Sequence, residues 1–282
     1  MDGKICLITG ASQGIGYYTA LGLARLNATV VIASKNEQRG IEAKKNIIRE
    51  SNNGNVEFLP VDLSSFYSIR KFTDNFKSKY GSLDVLINNA GVYYSESTFS
   101  EDKIEMQFAV NHLAPFLVTY LLMERWQSAQ GSRIINLSSR YHFLGRMHFD
   151  DLFLKNKYNG LAAYCQSKLA MVLFTYKLAE KIKDSGTTVN CLDPGAARTN
   201  IAFSHSTGLY PLLVRMVRPM LISPEKASGT SILLASSPGL KGANGKYFEK
   251  SRAVRSSKAS YNETDSGLLW EISEKLTGIK FL

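Results

Sequence analysis

Tyr164 and Lys168 stand four residues apart in Tyr164-Cys165-Gln166-Ser167-Lys168. The surrounding apolar residues recur at helical spacing, so both side chains are expected to project from one helix face. An unperturbed phenol titrates near pH ~10, and a fixed ammonium beside it favours the phenolate. Such a pair can therefore act as an acid near neutrality. The same spacing also occurs on solvated helix faces, so its meaning depends on what surrounds it.

The surroundings begin with Ile5 to Thr9, a short apolar run that reads as a buried strand. Gly10-Ala11-Ser12-Gln13-Gly14-Ile15-Gly16 follows at once and opens onto a helix over Tyr17 to Leu26. Strand, glycine turn and helix amino end together form a phosphate cradle, because unpaired amides and the helix dipole point at the anion. Leu83 to Ile87 reads as another strand that runs into Asn88-Asn89-Ala90-Gly91, and Ile134 to Leu137 runs into Ser138-Ser139. In a parallel sheet the ligand crevice lies outside the carboxyl ends of the strands, so these loops are expected to converge.

Strand and helix patterns alternate along the rest of the chain. Thr29 to Ala33 and Val56 to Val61 read as strands, with a helix over Glu37 to Glu50 between them. Ser65 to Tyr80 reads as a core-facing helix stopped by Gly81, and Ser223-Pro224 as a helix start. Thr187 to Leu192 and Lys246 to Phe248 supply the last strands. The expected fold class is α/β, a doubly wound, mostly parallel Rossmann-type sheet covered by helices on both faces.

These ordered motifs, Thr9 to Gly16, Asp62, Asn88 to Gly91, Asn111, Ser138, Tyr164, Lys168 and Pro194-Gly195, resemble the short-chain dehydrogenase/reductase family over nearly the whole chain. Ser138 to His142, Phe149 to Leu152, Gly245 to Phe248 and Leu269 to Ser273 resemble its retinol dehydrogenase and WW-domain oxidoreductase-like group. Asp193 departs from that group, which usually has histidine before the proline. The resemblance implies hydride transfer between a nicotinamide coenzyme and a substrate carbonyl or alcohol. Tyr164 would exchange the proton, Ser138 would donate a hydrogen bond to the same oxygen, and Lys168 would lower the phenol's pKa and hold the nicotinamide ribose. Asn111 would hold a water linking Lys168 to solvent. The coenzyme would rest on Gly10, Ser12, Gln13, Gly14, Ile15, Gly16, Ser34, Lys35, Asp62, Leu63, Asn89, Ala90, Gly91, Tyr164, Lys168, Pro194, Gly195 and Thr199. Ser34 stands where an NAD enzyme commonly has aspartate, and the cation of Lys35 follows it, so NADP(H) is favoured over NAD(H). Glu37 is the residue that would argue for NAD. Family members often pair through the helices equivalent to Leu113–Arg125 and Ala162–Lys183, which leaves room for a homodimer.

Composition agrees with one domain spanning residues 1–282. No signal peptide is read before the first strand, and Leu113 to Met123 falls short of the ~20 apolar residues that span a bilayer. Cys6, Cys165 and Cys191 show no pairing framework, so a reducing cytoplasm is expected. The four histidines lack ligand spacing, which argues against a metal. The net charge of +10 invites a polyanion, yet the late basic residues lack interleaved aromatics, so no nucleic-acid partner is expected. Residues 199–222, apolar from Leu209 to Ile222, occupy the family's lid position and suit a retinoid-like, lipid-derived or aromatic substrate; Arg215 and Arg218 there suit contact with a membrane surface. Two rival readings stand beside this one. Gly10 to Gly14 also fits a GxSxG nucleophile elbow, with Ser12, Asp193 and His205 in hydrolase order, although a hydrolase elbow follows earlier strands whose loop completes the oxyanion hole and here the elbow follows the first strand read. A nucleotide-binding regulator without turnover keeps the fold and drops the chemistry.

Overall fold

The computed structural model describes residues 1–197 and 221–281. Its strands are β1 (Ile5–Thr9), β2 (Thr29–Ser34), β3 (Val56–Pro60), β4 (Val85–Asn88), β5 (Arg133–Leu137), β6 (Thr188–Asp193), β7 (Tyr247–Glu249) and β8 (Arg252–Val254). They form one sheet in the order β3-β2-β1-β4-β5-β6-β7-β8. All neighbours pair parallel except β7 and β8. The strand order reverses between β1 and β4, which places a crevice outside their carboxyl ends.

Strand alternation divides the core into two layers. Cys6, Ile8, Val30, Ile32 and Ile87 face one side, against α1 (Gly14–Arg25), α2 (Glu37–Ser51) and a helix that starts at Pro224. Leu7, Val31, Leu86, Ile134 and Val189 face the other, against α3 (Phe66–Lys79) and helices from the second half of the chain. A strand buried on both faces must be apolar at every position, which is why β1 and β4 read as continuous runs.

After β4 come α4 (Met106–Phe108), α5 (Ala114–Leu121), α6 (Met123–Ser128), α7 (Gly160–Lys181), α8 (Pro224–Ser236) and α9 (Glu263–Thr277). A π-helical turn, Ala109–Leu113, joins α4 to α5 and carries Asn111. Side chains cap the amino ends of α2, α3, α7, α8 and α9, through Asn36, Ser65, Asn159, Ser223 and Asn262. The first helix differs: Gln13 at its N-cap makes no side-chain hydrogen bond.

Two features depart from the sequence reading. The antiparallel β8 follows a turn in which Lys250 and Ser251 adopt positive φ without glycine, so no usual turn signal announces it. The second is a cover that the carboxyl segment lays over α5 and α7. Phe116 and Tyr120 on α5 and Phe174 on α7 pack against Trp270 of α9 and the terminal Phe281, with ring centroids 5.1–6.0 Å apart. The chain's own carboxyl segment therefore occupies part of that surface, because its aromatics gain more by burial than by exposure. Among the described residues no helix is long and apolar enough to cross a membrane.

Candidate active site

The glycine turn and the β4 loop are built against each other. Thr9 ends β1, and its Oγ1 accepts the amides of Asn89 and Ala90 at 3.1 and 3.2 Å. Asn89 returns the contact, its Nδ2 donating to the carbonyls of Thr9 and Gly10 at 2.7 and 3.2 Å. Gly10 has φ +66°, and a Cβ on Gly16 would stand 2.5 Å from Asn89 Nδ2 and 2.6 Å from the Gly10 carbonyl. Only glycine permits this approach. The result is a helix amino end whose first amides lack a side-chain cap and face a cleft of about 980 Å³.

That cleft collects nearly every residue singled out from the sequence. Gly10, Ser12, Gln13, Gly14, Ile15 and Gly16 line one end. Ser34, Lys35, Asp62 and Leu63 line the wall beyond β2, and Asn89, Ala90 and Gly91 the floor. Tyr164, Lys168, Pro194 and Gly195 stand at the other end. Thr199, the lid region 199–220, Arg215, Arg218 and His205 lie outside the described residues.

At the wall beyond β2, Ser34 Oγ is buried without a hydrogen-bond partner. Lys35 Nζ lies 2.7 Å from Asp62 Oδ2, which raises the lysine pKa through that hydrogen bond. Burial pushes the Asp62 pKa up, but Lys35 and Ser64 outweigh it and hold the carboxyl below its usual range. No carboxylate occupies the tip of β2, and Glu37 begins α2. An orphaned buried hydroxyl, an exposed ammonium and an uncapped helix start suit a phosphorylated dinucleotide.

At the opposite end Lys168 Nζ lies 5.6 Å from the centroid of the Tyr164 ring and donates to the Leu137 carbonyl at 3.2 Å. Helical spacing thus brings the two together as expected, yet the ammonium sits over the ring and not at the hydroxyl. The expected lowering of the phenol's pKa is absent. Burial pushes Tyr164 well above its ordinary value, the Ser139 hydrogen bond pulls the other way, and the charge of Asp193 raises it further. Burial brings Lys168 down to about 8, opposed by Asp193. Burial thus shifts both groups toward their neutral forms, the phenol fully and the ammonium only in part.

The two serines at the end of β5 exchange the places expected for them. Ser138 is buried, and its Oγ donates to the Lys168 backbone carbonyl at 2.9 Å. The side chain that bears on the Tyr164 hydroxyl, drawing its pKa down against burial, belongs to Ser139. Both serines follow β5 and line the cleft beside α7, Ser138 turned to the helix main chain and Ser139 to the phenol. Ser139 was passed over in the sequence, although the Ser-Ser doublet itself signalled the ambiguity.

Asn111 makes three hydrogen bonds within the protein. Its Oδ1 accepts the Val92 amide at 2.8 Å, while its Nδ2 donates to the Val92 carbonyl and Ser167 Oγ at 3.0 Å each. A Cβ on Gly91 would stand 3.3 Å from Lys168 Nζ and 3.4 Å from Asn111 Oδ1. Asn111 therefore braces the loop beside the lysine from a π-helical turn, a distortion frequent at functional sites.

Asp193, missed as a site residue, ends β6 beneath this group. Its side chain is 4% exposed, Oδ2 has no hydrogen bond, and Arg140 Nε lies 3.7 Å away. Burial raises its pKa against the hydrogen bonds from the Gly195 and Arg140 backbones. Two further tyrosines flank the phenol: Tyr93 and Tyr141 meet the Tyr164 ring edge-on at 5.8 and 5.7 Å. The hydrolase arrangement is not formed. Ser12 follows β1 and Asp193 ends β6, two strands intervene, and at ~4.8 Å per strand the separation is about 14 Å.

Comparison with known proteins agrees with this geometry. The family model described as short chain dehydrogenase matches residues 4–209. Retinol dehydrogenase 13 of Homo sapiens is 41% identical, the alignment covering 99% of this chain and 86% of that protein. Polyprenol dehydrogenase of Homo sapiens is 36% identical, covering 98% and 86%. A crystal structure of an uncharacterized protein from Mycobacterium Paratuberculosis superposes with a TM-score of 0.80 at 28% identity, covering 100% of this chain and 96% of that one.

Proposed function

The chain belongs to the short-chain dehydrogenase family, and from that premise we propose that it interconverts a hydrophobic alcohol and its aldehyde or ketone with NADP(H). The observation that carries the reading is the single cleft in which Tyr164, Ser139 and Lys168 share one end and an uncapped glycine turn forms the other. The coenzyme, when bound, supplies or accepts the hydride. Its phosphates suit the amides at the start of α1, and its ribose phosphate suits Lys35 and the orphaned Ser34 hydroxyl. To receive that phosphate Lys35 gives up Asp62, an exchange of one anion for another.

Tyr164 gives its proton to the carbonyl oxygen in reduction and takes it back in oxidation. Ser139 supplies a second hydrogen bond at that position, the role first read for Ser138. Lys168 holds a reserve of positive charge behind the phenol. A pKa brought down to about 8 lets it gain or lose a proton near working pH, and its charge favours the phenolate left when Tyr164 gives up its proton. Tyr141, backed by the Tyr164 ring, gives this end of the cleft an aromatic wall, which favours an unsaturated or ring-bearing apolar substrate over a sugar. The names of the retinol and polyprenol dehydrogenases support the same substrate class.

The test follows nicotinamide absorbance over a panel of retinoid, isoprenoid and aromatic carbonyls with both reduced coenzymes. Tyr164→Phe is expected to abolish turnover while leaving NADPH binding intact. Wild-type rates in that variant would overturn the reading, and a silent panel would favour a nucleotide-binding regulator.

A further inference from the structure

His142 is fully buried three residues after Ser139. Its Nδ1 lies 2.7 Å from the Ser139 backbone carbonyl, and its Nε2 lies 3.0 Å from the backbone nitrogen of Ser257. A carbonyl can only accept and an amide can only donate, so the ring is the neutral form with its hydrogen on Nδ1. Both nitrogens are then satisfied by main chain. The ring is fixed further by packing on Phe143 at 4.2 Å and Tyr247 at 4.7 Å.

The two ends of this link are far apart in sequence and different in kind. Ser139 is the residue whose side chain meets the Tyr164 hydroxyl, and its carbonyl also accepts the His142 amide at 3.0 Å. Ser257 begins a short 3-10 turn, Lys258–Tyr261, that lines no part of the cleft. That segment is anchored in turn to α7, because Ser256 Oγ bonds both Tyr176 and Ser260 hydroxyls at 2.7 Å. One helix, α7, thus carries Tyr164 directly and holds the support of Ser139 through the later turn.

We propose that His142 is a positioning residue: it ties the Ser139 carbonyl to the Ser257 turn and so holds the Ser139 hydroxyl against Tyr164. The inference rests on the catalytic reading of Tyr164 given above. Ser139 sits in extended backbone, where its peptide plane can swing about a strand end. The Ser138 amide is fixed on one side, donating to Leu192 at 2.8 Å, and the imidazole fixes the other.

Two variants separate positioning from packing. His142→Phe keeps a ring against Phe143 and Tyr247 and removes both hydrogen bonds. His142→Asn loses the ring but keeps an amide donor for the Ser139 carbonyl. A packing role predicts that kcat follows melting temperature, with phenylalanine the better replacement. Positioning predicts the reverse order: His142→Phe lowers kcat by about tenfold or more with KM for NADPH unchanged, and His142→Asn recovers much of that loss despite a lower melting temperature.

Ser257→Pro tests the far end without touching the cleft. Ser257 has φ −61°, which proline accepts, and the substitution removes the amide that meets Nε2 together with the small Ser257 hydroxyl, so Ser257→Ala serves as its control for the lost side chain. Its kcat is expected to fall in the same direction with NADPH binding retained. Tyr164→Phe is assayed in parallel on the same substrate. If Tyr164→Phe is dead while His142→Phe and Ser257→Pro keep wild-type kcat, the positioning role is overturned and the catalytic reading stands. If Tyr164→Phe turns over normally, the catalytic reading fails first.

Discussion

The two ends of the cleft are built by different means. At the phosphate end, backbone and short side chains lock two strand-end loops together, and glycine is required where a Cβ would strike Asn89 or the Gly10 carbonyl. At the catalytic end, side chains that are distant in sequence reach main-chain groups: Ser138 to α7, Lys168 to the end of β5 and His142 to the Ser257 turn. The first kind of site is specified by local sequence and tolerates little. The second can be retuned residue by residue, which is how one fold serves many substrates.

The largest effect that could break this contrast comes from the serine doublet. Ser139→Ala is expected to lower kcat by about 10²–10³-fold, the usual loss for one donor to a developing oxyanion, with coenzyme KM unchanged. Ser138→Ala is expected to cost about 1 kcal/mol of stability, through the lost bond to the Lys168 carbonyl, and little rate. Steady-state kinetics and denaturant unfolding of both variants check this, and a reversed pattern would restore Ser138 to the chemistry.

A smaller effect sharpens the coenzyme end. Lys35→Ala is expected to raise KM for NADPH by about tenfold, the loss of one charge-assisted contact, while KM for NADH stays level. Equal changes for both coenzymes would remove Lys35 from ribose-phosphate recognition.

The smallest effect concerns stability and pH. Burial brings the His112 pKa down to about 3, so the folded protein keeps it neutral while the unfolded chain takes up a proton near the ordinary histidine value. Stability from this group is complete above about pH 6.5 and is lost at up to roughly 1.4 kcal/mol per unit as pH falls toward 3. Urea unfolding from pH 7 to 4 should show a shallower slope in His112→Gln than in the parent. Parallel slopes would mean that another group carries the dependence.

The phosphate end was legible because its signals are short-range. Ile5 to Thr9 has the bounds expected, and the glycine turn and Asn88 to Gly91 declare close backbone approach by residue type. Tyr164 and Lys168 were legible for the same reason, since helical spacing sets their relation. What escaped depends on distance through space. Which serine of a doublet faces the phenol is decided by packing beside α7, and the phenol's acidity by burial that no local pattern reports. The charge of Asp193 acts on Tyr164 across 29 positions of sequence, and the Ser257 turn reaches His142 across 115. The π-helical turn under Asn111 breaks the 3.6-residue rhythm on which helix reading relies.

The aromatic packing of Trp270 and Phe281 over Phe116 and Phe174 has a consequence for assembly. A cover joined to its own site by the chain acts at an effective concentration on the order of millimolar, whatever the dilution of the protein. A second molecule seeking the same surface competes with an occupant that never diffuses away.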